Sequence, residues 1–176
     1  MNRTLTVDLS ALGLRQLDKW LSDWKTWLEK KSDELANKFS KEGYVVAYQI
    51  IAEHVFSGET LNSLHTERIG PASYVVRAES VPVLFLEFGS GLRGYGYPAD
   101  ALQGMGPGTY PGQTHALDPQ GWWFETDDPR LVVYTDEKTG KSYGHSYGME
   151  PAMPMYTAVK ELEKNFDRIV KEVFNT

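Results

Sequence analysis

Three observations predict an α+β fold. Apolar residues recur every three or four positions near both ends of the chain, which marks two long amphipathic helices. Between them lie short apolar or alternating runs separated by Gly, Pro and Ser, the pattern of strands joined by tight turns. One stretch, Val81 to Gly91 (V-P-V-L-F-L-E-F-G-S-G), is apolar from Val83 to Phe88 at every position but Glu87, and it reads as a strand covered on both faces. The expected architecture is an antiparallel β-meander sheet packed by a long N-terminal helix, kinked or broken near Gly43, and by a C-terminal helix, with a long Gly/Pro/aromatic loop over 89–121.

Taken in order, Arg3 to Leu9 alternates weakly and suggests a short edge strand, and Ser10 is a good helix N-cap. Leu14, Leu17, Leu21, Trp24, Leu28, Leu35 and Phe39 then form one helical stripe, widened on a flank by Trp20 and Trp27. Core packing is the plainer reading of those two tryptophans, and docking of a neighbouring subunit the sharper one. Tyr44 to Phe56 is strand-like in composition but helical in the spacing of Tyr44, Tyr48, Ile51 and Val55, so a second helix restarting after Gly43 is expected. Leu61–Ile69 and Tyr74–Glu79 read as strands about the turn Gly70-Pro71-Ala72-Ser73. Pro82 then opens the strand to Phe88, where the missing N–H is tolerated. Phe85 or Leu84, Leu86 and Phe88 are expected to be buried together with Leu162 and Phe166.

Gly89 to Gly121 holds nine of the sixteen glycines and four of the nine prolines, so neither a helix nor a strand is expected there. Tyr95, Tyr97 and Tyr110 punctuate it, and Trp122-Trp123-Phe124 follow. Such a segment either orders against a partner or folds back as an Ω-loop. Leu131–Tyr134 and Lys141–Tyr147 flank Asp136–Gly140 as a hairpin. The chain closes with a helix over Met155–Phe174, its stripe marked by Tyr156, Val159, Leu162, Phe166, Ile169, Val170 and Val173.

Composition narrows the function. A chain of 176 residues, 41% apolar, is expected to form a single domain, 1–176. The formal charge of −6 argues against a nucleic-acid-binding surface, which needs a basic face. With no cysteine, disulfides and thiolate-held zinc are excluded. No run of 18 apolar residues is present, and Met1–Ser10 lacks the basic and apolar regions of a signal peptide, so a soluble, non-exported protein without membrane contact is expected.

Motifs for chemistry are weak. Gly89 to Gly94 matches G-x-G-x-x-G, but Tyr95-Gly96-Tyr97-Pro98 cannot start the helix that binds a pyrophosphate. Thr139-Gly140-Lys141-Ser142 ends like a P-loop, but Thr135 stands where the first glycine belongs, and a turn explains it better. His54, His65, His115 and His145 have no metal-ligand spacing. Glu87, Glu125, Asp127 and Asp128 offer carboxylates for acid–base work, although Arg77 or Arg68 is an equally good reason for Glu87. No catalytic, cofactor or metal residue is assigned, and an enzyme is not expected. The competing expectation is a carbohydrate-binding or hydrolytic domain that stacks sugars on Tyr95, Tyr97, Trp122 and Trp123 beside Glu125 or Asp128.

Two segments carry a resemblance. They are Leu84-Phe85-Leu86-Glu87-Phe88-Gly89-Ser90-Gly91 and Pro151-Ala152-Met153-Pro154-Met155-Tyr156, the second just before the closing helix. With the Ser57–Leu64 segment and the Gly/Pro/Trp-rich loop, residues 35 to 174 resemble the tail-component family of long-tailed phages and prophages, the tail-completion or tail-to-head joining proteins. Ser90 stands where that family usually has threonine. The resemblance implies a non-enzymatic virion protein of the siphophage neck or tail end, assembled in the host cytoplasm. It implies a homo-oligomeric ring, six-fold, between head connector and tail tube, with DNA only as passing cargo. Such rings close through heterologous interfaces, for which Trp20, Trp27, Tyr95, Tyr97, Tyr110, Trp122 and Trp123 are the expected contacts.

Overall fold

The computed structural model describes residues 6, 8, 10–54, 58–98 and 117–175. It is a mixed α+β fold with a long N-terminal helix, a C-terminal helix and two small antiparallel sheets. Helix α1 spans Ala11–His54, about 66 Å at 1.5 Å per residue. Ser10 caps it, its hydroxyl oxygen accepting the Gly13 amide at 3.1 Å. The edge strand expected over Arg3–Leu9 falls largely outside the described residues.

Helix α1 passes through Gly43 without a break. Gly43 is buried, and a Cβ there would lie 3.2 Å from Leu162 Cδ1 and 3.8 Å from Val76 Cγ2. The glycine therefore serves close packing instead of a kink. The partner in that packing is α4, Pro154–Phe174, which runs antiparallel to α1. Its far end reaches Trp27, whose ring meets Phe174 edge-on at 5.9 Å, and Phe39 stacks on Phe166 at 5.5 Å. Lys38 pairs with Glu172, and Arg168 bridges Glu42 and Glu172.

A short helix α2 (Gly58–Ser63) leads to the hairpin of β1 (His65–Gly70) and β2 (Ser73–Arg77). Asp33 of α1 holds this hairpin. Its carboxylate accepts the Arg68 guanidinium at 2.7 Å, the Ala72 amide at 3.1 Å and the Tyr74 hydroxyl at 3.2 Å. Desolvation raises the Asp33 pKa, but hydrogen bonds from the Ala72 amide, Arg68 and Tyr74 outweigh it and hold the carboxyl below its ordinary range.

The third strand of the expected meander is absent: Val81–Phe88 is a helix, α3. Pro82 fits the first turn of a helix as well as the first residue of a strand, because neither position needs its N–H. A short apolar run buried on most sides has no period that separates the two. Val83, Leu86, Glu87 and Phe88 are buried, whereas Leu84 lies 39% exposed on the outer side. Gly89, at φ +72°, ends the helix with its amide on the Phe85 carbonyl at 2.8 Å. A 3₁₀ turn, Gly91–Gly96, follows.

The second sheet has β3 (Trp122–Glu125), β4 (Tyr134–Thr135) and β5 (Ser142–Ser146), with β5 in the middle and both neighbours antiparallel to it. The hairpin expected around Asp136–Gly140 is the β4–β5 pair. The main core joins Ala47 and Ile51 of α1, Leu64, Val83 and Leu86 of α3, and Ala158 of α4. Phe88 and Tyr97 form a second cluster, against Phe85, Met153 and Tyr156. Phe166 and Val159 are 52% exposed, so the inner side of α4 is carried by Ala158, Ile169 and Val173 instead. Phe166 turned out to cover Phe39 at the surface, not to join Leu86 and Phe88. Among the described residues no helix is long and apolar enough to cross a membrane.

Candidate functional site

The two segments that carry the family resemblance meet at the junction of α3 and α4. Glu87 sits in the last turn of α3, only 6% exposed. Its Oε2 accepts the Met155 amide at 2.7 Å, and its Oε1 accepts the Tyr156 amide and the Tyr97 hydroxyl, each at 2.9 Å. Met155 and Tyr156 are the second and third residues of α4, whose first amides have no partner within the helix. The residue at the cap position, Met153, is left-handed (φ 56°) and offers no side-chain cap. Pro154 follows it and has no N–H to satisfy. The carboxylate of α3 thus does the work that a local Ser or Asp ordinarily does, and its charge suits the positive end of the helix dipole. Neither Arg77 nor Arg68 holds Glu87: Arg68 pairs with Asp33, and Arg77 with Glu67 and Glu79.

Backbone contacts complete the joint. The Leu86 carbonyl accepts the amides of Ala152 and Met153 at 2.7 and 3.1 Å. Ser90 and Met149 exchange a pair of amide–carbonyl bonds at 2.9 and 3.1 Å, and the Ser90 hydroxyl oxygen also accepts the Met149 amide at 3.2 Å. Gly89 is closely hemmed in by backbone. A Cβ there would come within 2.7 Å of Gly94 Cα and of the Met149 carbonyl oxygen, and 2.9 Å from the Pro151 nitrogen. Leu86 to Ser90 and Met149 to Tyr156 are therefore a single interlocked unit. Met153 and Tyr156 pack against Phe88 and Tyr97 inside it.

The aromatic residues expected at an interface divide. Tyr97 is 7% exposed and belongs to the core, because its hydroxyl is fixed on Glu87 and its ring lies 4.8 Å from Phe88 and 5.7 Å from Tyr156. Trp20 and Trp122 are half-buried. Trp27 and Trp123 are open, at 40% and 57% exposure. Tyr110 and the side chain of Tyr95 lie outside the described residues, as does most of the 89–121 segment.

A feature missed in the sequence is the outer face of the second sheet. Trp123 stands opposite His145 in the register, with ring centroids 4.6 Å apart, and Tyr147 lies 4.7 Å beyond His145. Tyr134 and Tyr143 stack at 6.4 Å, and with Trp123 they line an open apolar groove of about 500 Å³. The signal was the alternation of aromatic residues at Tyr143, His145 and Tyr147, which a strand places on one face.

Of the carboxylates offered for chemistry, Glu87, Glu125 and Asp128 are engaged elsewhere. Glu125 pairs with Lys141 at 2.7 Å, and Asp128 is gripped by Arg130. Hydrogen bonds from the Arg130 side chain and then its amide pull the Asp128 pKa down to about 2. Lys141, the lysine of the P-loop-like segment, lies between the turn at Gly140 and the start of β5. The G-x-G-x-x-G match runs into the short 3₁₀ turn and not into an α-helix. Among the described residues no three His, Asp or Glu side chains cluster as metal ligands would. Comparison with protein-family models, with curated protein sequences and with solved structures finds no match to this chain.

Proposed function

We propose that this chain is a structural protein of a long-tailed phage particle, a tail-completion or head–tail joining component of the neck. It acts without catalysis, as a homo-oligomeric ring that contacts other neck and tail-tube proteins and lets DNA pass. One observation carries the reading. The two segments behind the resemblance, separated by about 60 residues, interlock through Glu87, Gly89 and Ser90. In this chain they are parts of one joint. That joint is a mechanical element: it fixes the start of α4 on the end of α3, as a subunit needs when it must hold its shape in an assembly.

The test is genetic and biochemical. Disrupting the gene in its host is expected to leave heads and tails unjoined, and the protein is expected in purified particles. Normal particle yield without the gene, or particles that lack the protein, would sink the proposal. A second reading, sugar binding, has one observation in its favour, the groove of Trp123, Tyr134 and Tyr143. It loses Tyr97 from its stacking platform, and saturation binding of soluble oligosaccharides followed by Trp123 fluorescence distinguishes it.

A further inference from the structure

The first half of α1 carries an apolar seam that α4 leaves open from Leu14 to Trp24 and touches only at its far end, at Trp27. Leu14, Leu17, Leu21, Trp24 and Leu28 alternate at three and four residues, the 3.5-residue repeat of a two-stranded coiled coil. Helix α4 ends beside Trp27. Leu14, Leu21 and Trp24 remain 49%, 48% and 49% exposed. The opposite side of this segment is polar, with Arg15, Lys19, Ser22 and Thr26.

We propose that this seam pairs antiparallel with the same seam of a second copy of the chain. The argument is self-complementarity. If Leu21 packs opposite the partner's Trp24, then Leu17 packs opposite the partner's Leu28. Leu14 falls opposite the partner's Lys31, which is covered and paired with Glu34, so the apolar pairing runs from Leu17 to Leu28. The same register sets Asp18 against the partner's Lys25, and two-fold symmetry makes that ion pair twice. On the other flank it sets Trp20 beside the partner's Trp27, near Phe174. A parallel pair gains neither: Asp18 would face the partner's Gly13, and Trp20 the partner's Lys25. Asp18 and Lys25 are both exposed, and Lys25 has only a long 3.8 Å pairing with Glu29 of its own helix to give up. A fully buried tryptophan covers about 150–250 Å². With half of Trp24 and Trp27 still open and the leucines added, the pair covers roughly 1,000–1,200 Å², where specific interfaces begin. The contact is isologous, so it is separate from any heterologous contact that closes a ring, and it stands whether or not the virion reading holds.

Sedimentation of the full-length protein tests it. The wild type is expected to dimerise, and Leu21→Asp to abolish that dimer while the circular dichroism of the fold is unchanged. Asp18→Lys alone and Lys25→Asp alone each turn two attractions into two repulsions, and each is expected to weaken the dimer about tenfold or more. The double variant Asp18→Lys/Lys25→Asp restores it. A wild type still monomeric at about 100 μM overturns the proposal. So does a parallel pair, recognised by failure of the double variant to restore association, or an assembly of any size that ignores both reversals.

Discussion

Glu87 accepts the Met155 amide at 2.7 Å, across 68 positions of sequence, and so caps a helix to which it does not belong. Removing the carboxylate strands the Met155 and Tyr156 amides and the Tyr97 hydroxyl in a buried joint. Glu87→Ala is expected to cost about 2–4 kcal/mol, combining a lost cap with a buried donor left unsatisfied. Tyr97→Phe removes only one of the three bonds and should cost about 0.5–1.5 kcal/mol. Urea denaturation of the three proteins measures both. Equal stabilities for Glu87→Ala and wild type would show that the cap contributes nothing.

Two glycines should respond very differently to the same added methyl group. Gly89 has φ +72° and backbone atoms within 2.7 Å of where its Cβ would be. Left-handed backbone alone costs about 1–2 kcal/mol for an L-residue, and the overlap with immovable backbone adds to it, so Gly89→Ala is expected to lose about 3 kcal/mol or more. At Gly43 the contact is the tip of Leu162, which can rotate, and the helix gains about 1 kcal/mol from alanine. Gly43→Ala should therefore stay within about 1 kcal/mol of wild type in either direction. Thermal melts of the pair check the contrast.

Helix α4 offers a similar comparison. Ile169 is fully buried and Phe166 is 52% exposed. Ile169→Ala is expected to cost about 2–5 kcal/mol, whereas Phe166→Ala, which uncovers one face of Phe39, should cost about 1–2 kcal/mol. The reverse order would mean that α4 is rotated relative to α1.

Acid should loosen the molecule at identifiable places. Asp128 is held at about 2 by Arg130 against an ordinary 3.8, and Glu172 is held below 4.5 by Lys38 and then Arg168. A carboxyl whose pKa is depressed in the folded state adds stability above its unfolded pKa and loses it as pH falls through the folded value. The Arg130-held turn should thus weaken between about pH 4 and pH 2, and the Lys38–Glu172–Arg168 clasp from about pH 4.5 downward. Carboxyl NMR titration should place the Asp128 midpoint near 2, and Arg130→Gln should return it toward the ordinary value. An ordinary midpoint in the wild type would remove the argument.

Much of the frame was legible because it depends on local spacing. The stripes of α1 and α4, the Ser10 cap, the Gly70–Ser73 turn and the Asp136–Gly140 turn are all set by neighbours within a few residues. Val81–Phe88 was not, since a run with apolar side chains at nearly every position has no face to betray its period. Its Val83 and Leu86 are buried in one cluster with Ala47 and Ile51 of α1 and Ala158 of α4, contacts far from it in sequence. Gly43 was misread for a related reason, because a glycine that breaks a helix and one that admits a neighbouring helix look alike in sequence. The role of Asp33 depends on partners 35 to 41 positions away and the helix-capping role of Glu87 on amides 68 and 69 positions away, and no local pattern announces them. Tyr97 looks like a surface contact in sequence because it sits among glycines, yet its hydroxyl is committed to Glu87.

The borrowed cap also imposes an order of events on folding. Starting a helix is the unfavourable step, and a sequence that opens with left-handed Met153 and Pro154 offers little local help with it. The carboxylate that eases the start of α4 is in place only once α3 has formed and turned at Gly89. The last 21-residue helix is therefore expected to be completed late, through a contact of long sequence separation that slows folding. Until α4 docks, Glu87 is expected to face water with the Phe88–Tyr97 cluster open, and docking of α4 to be the step that closes both.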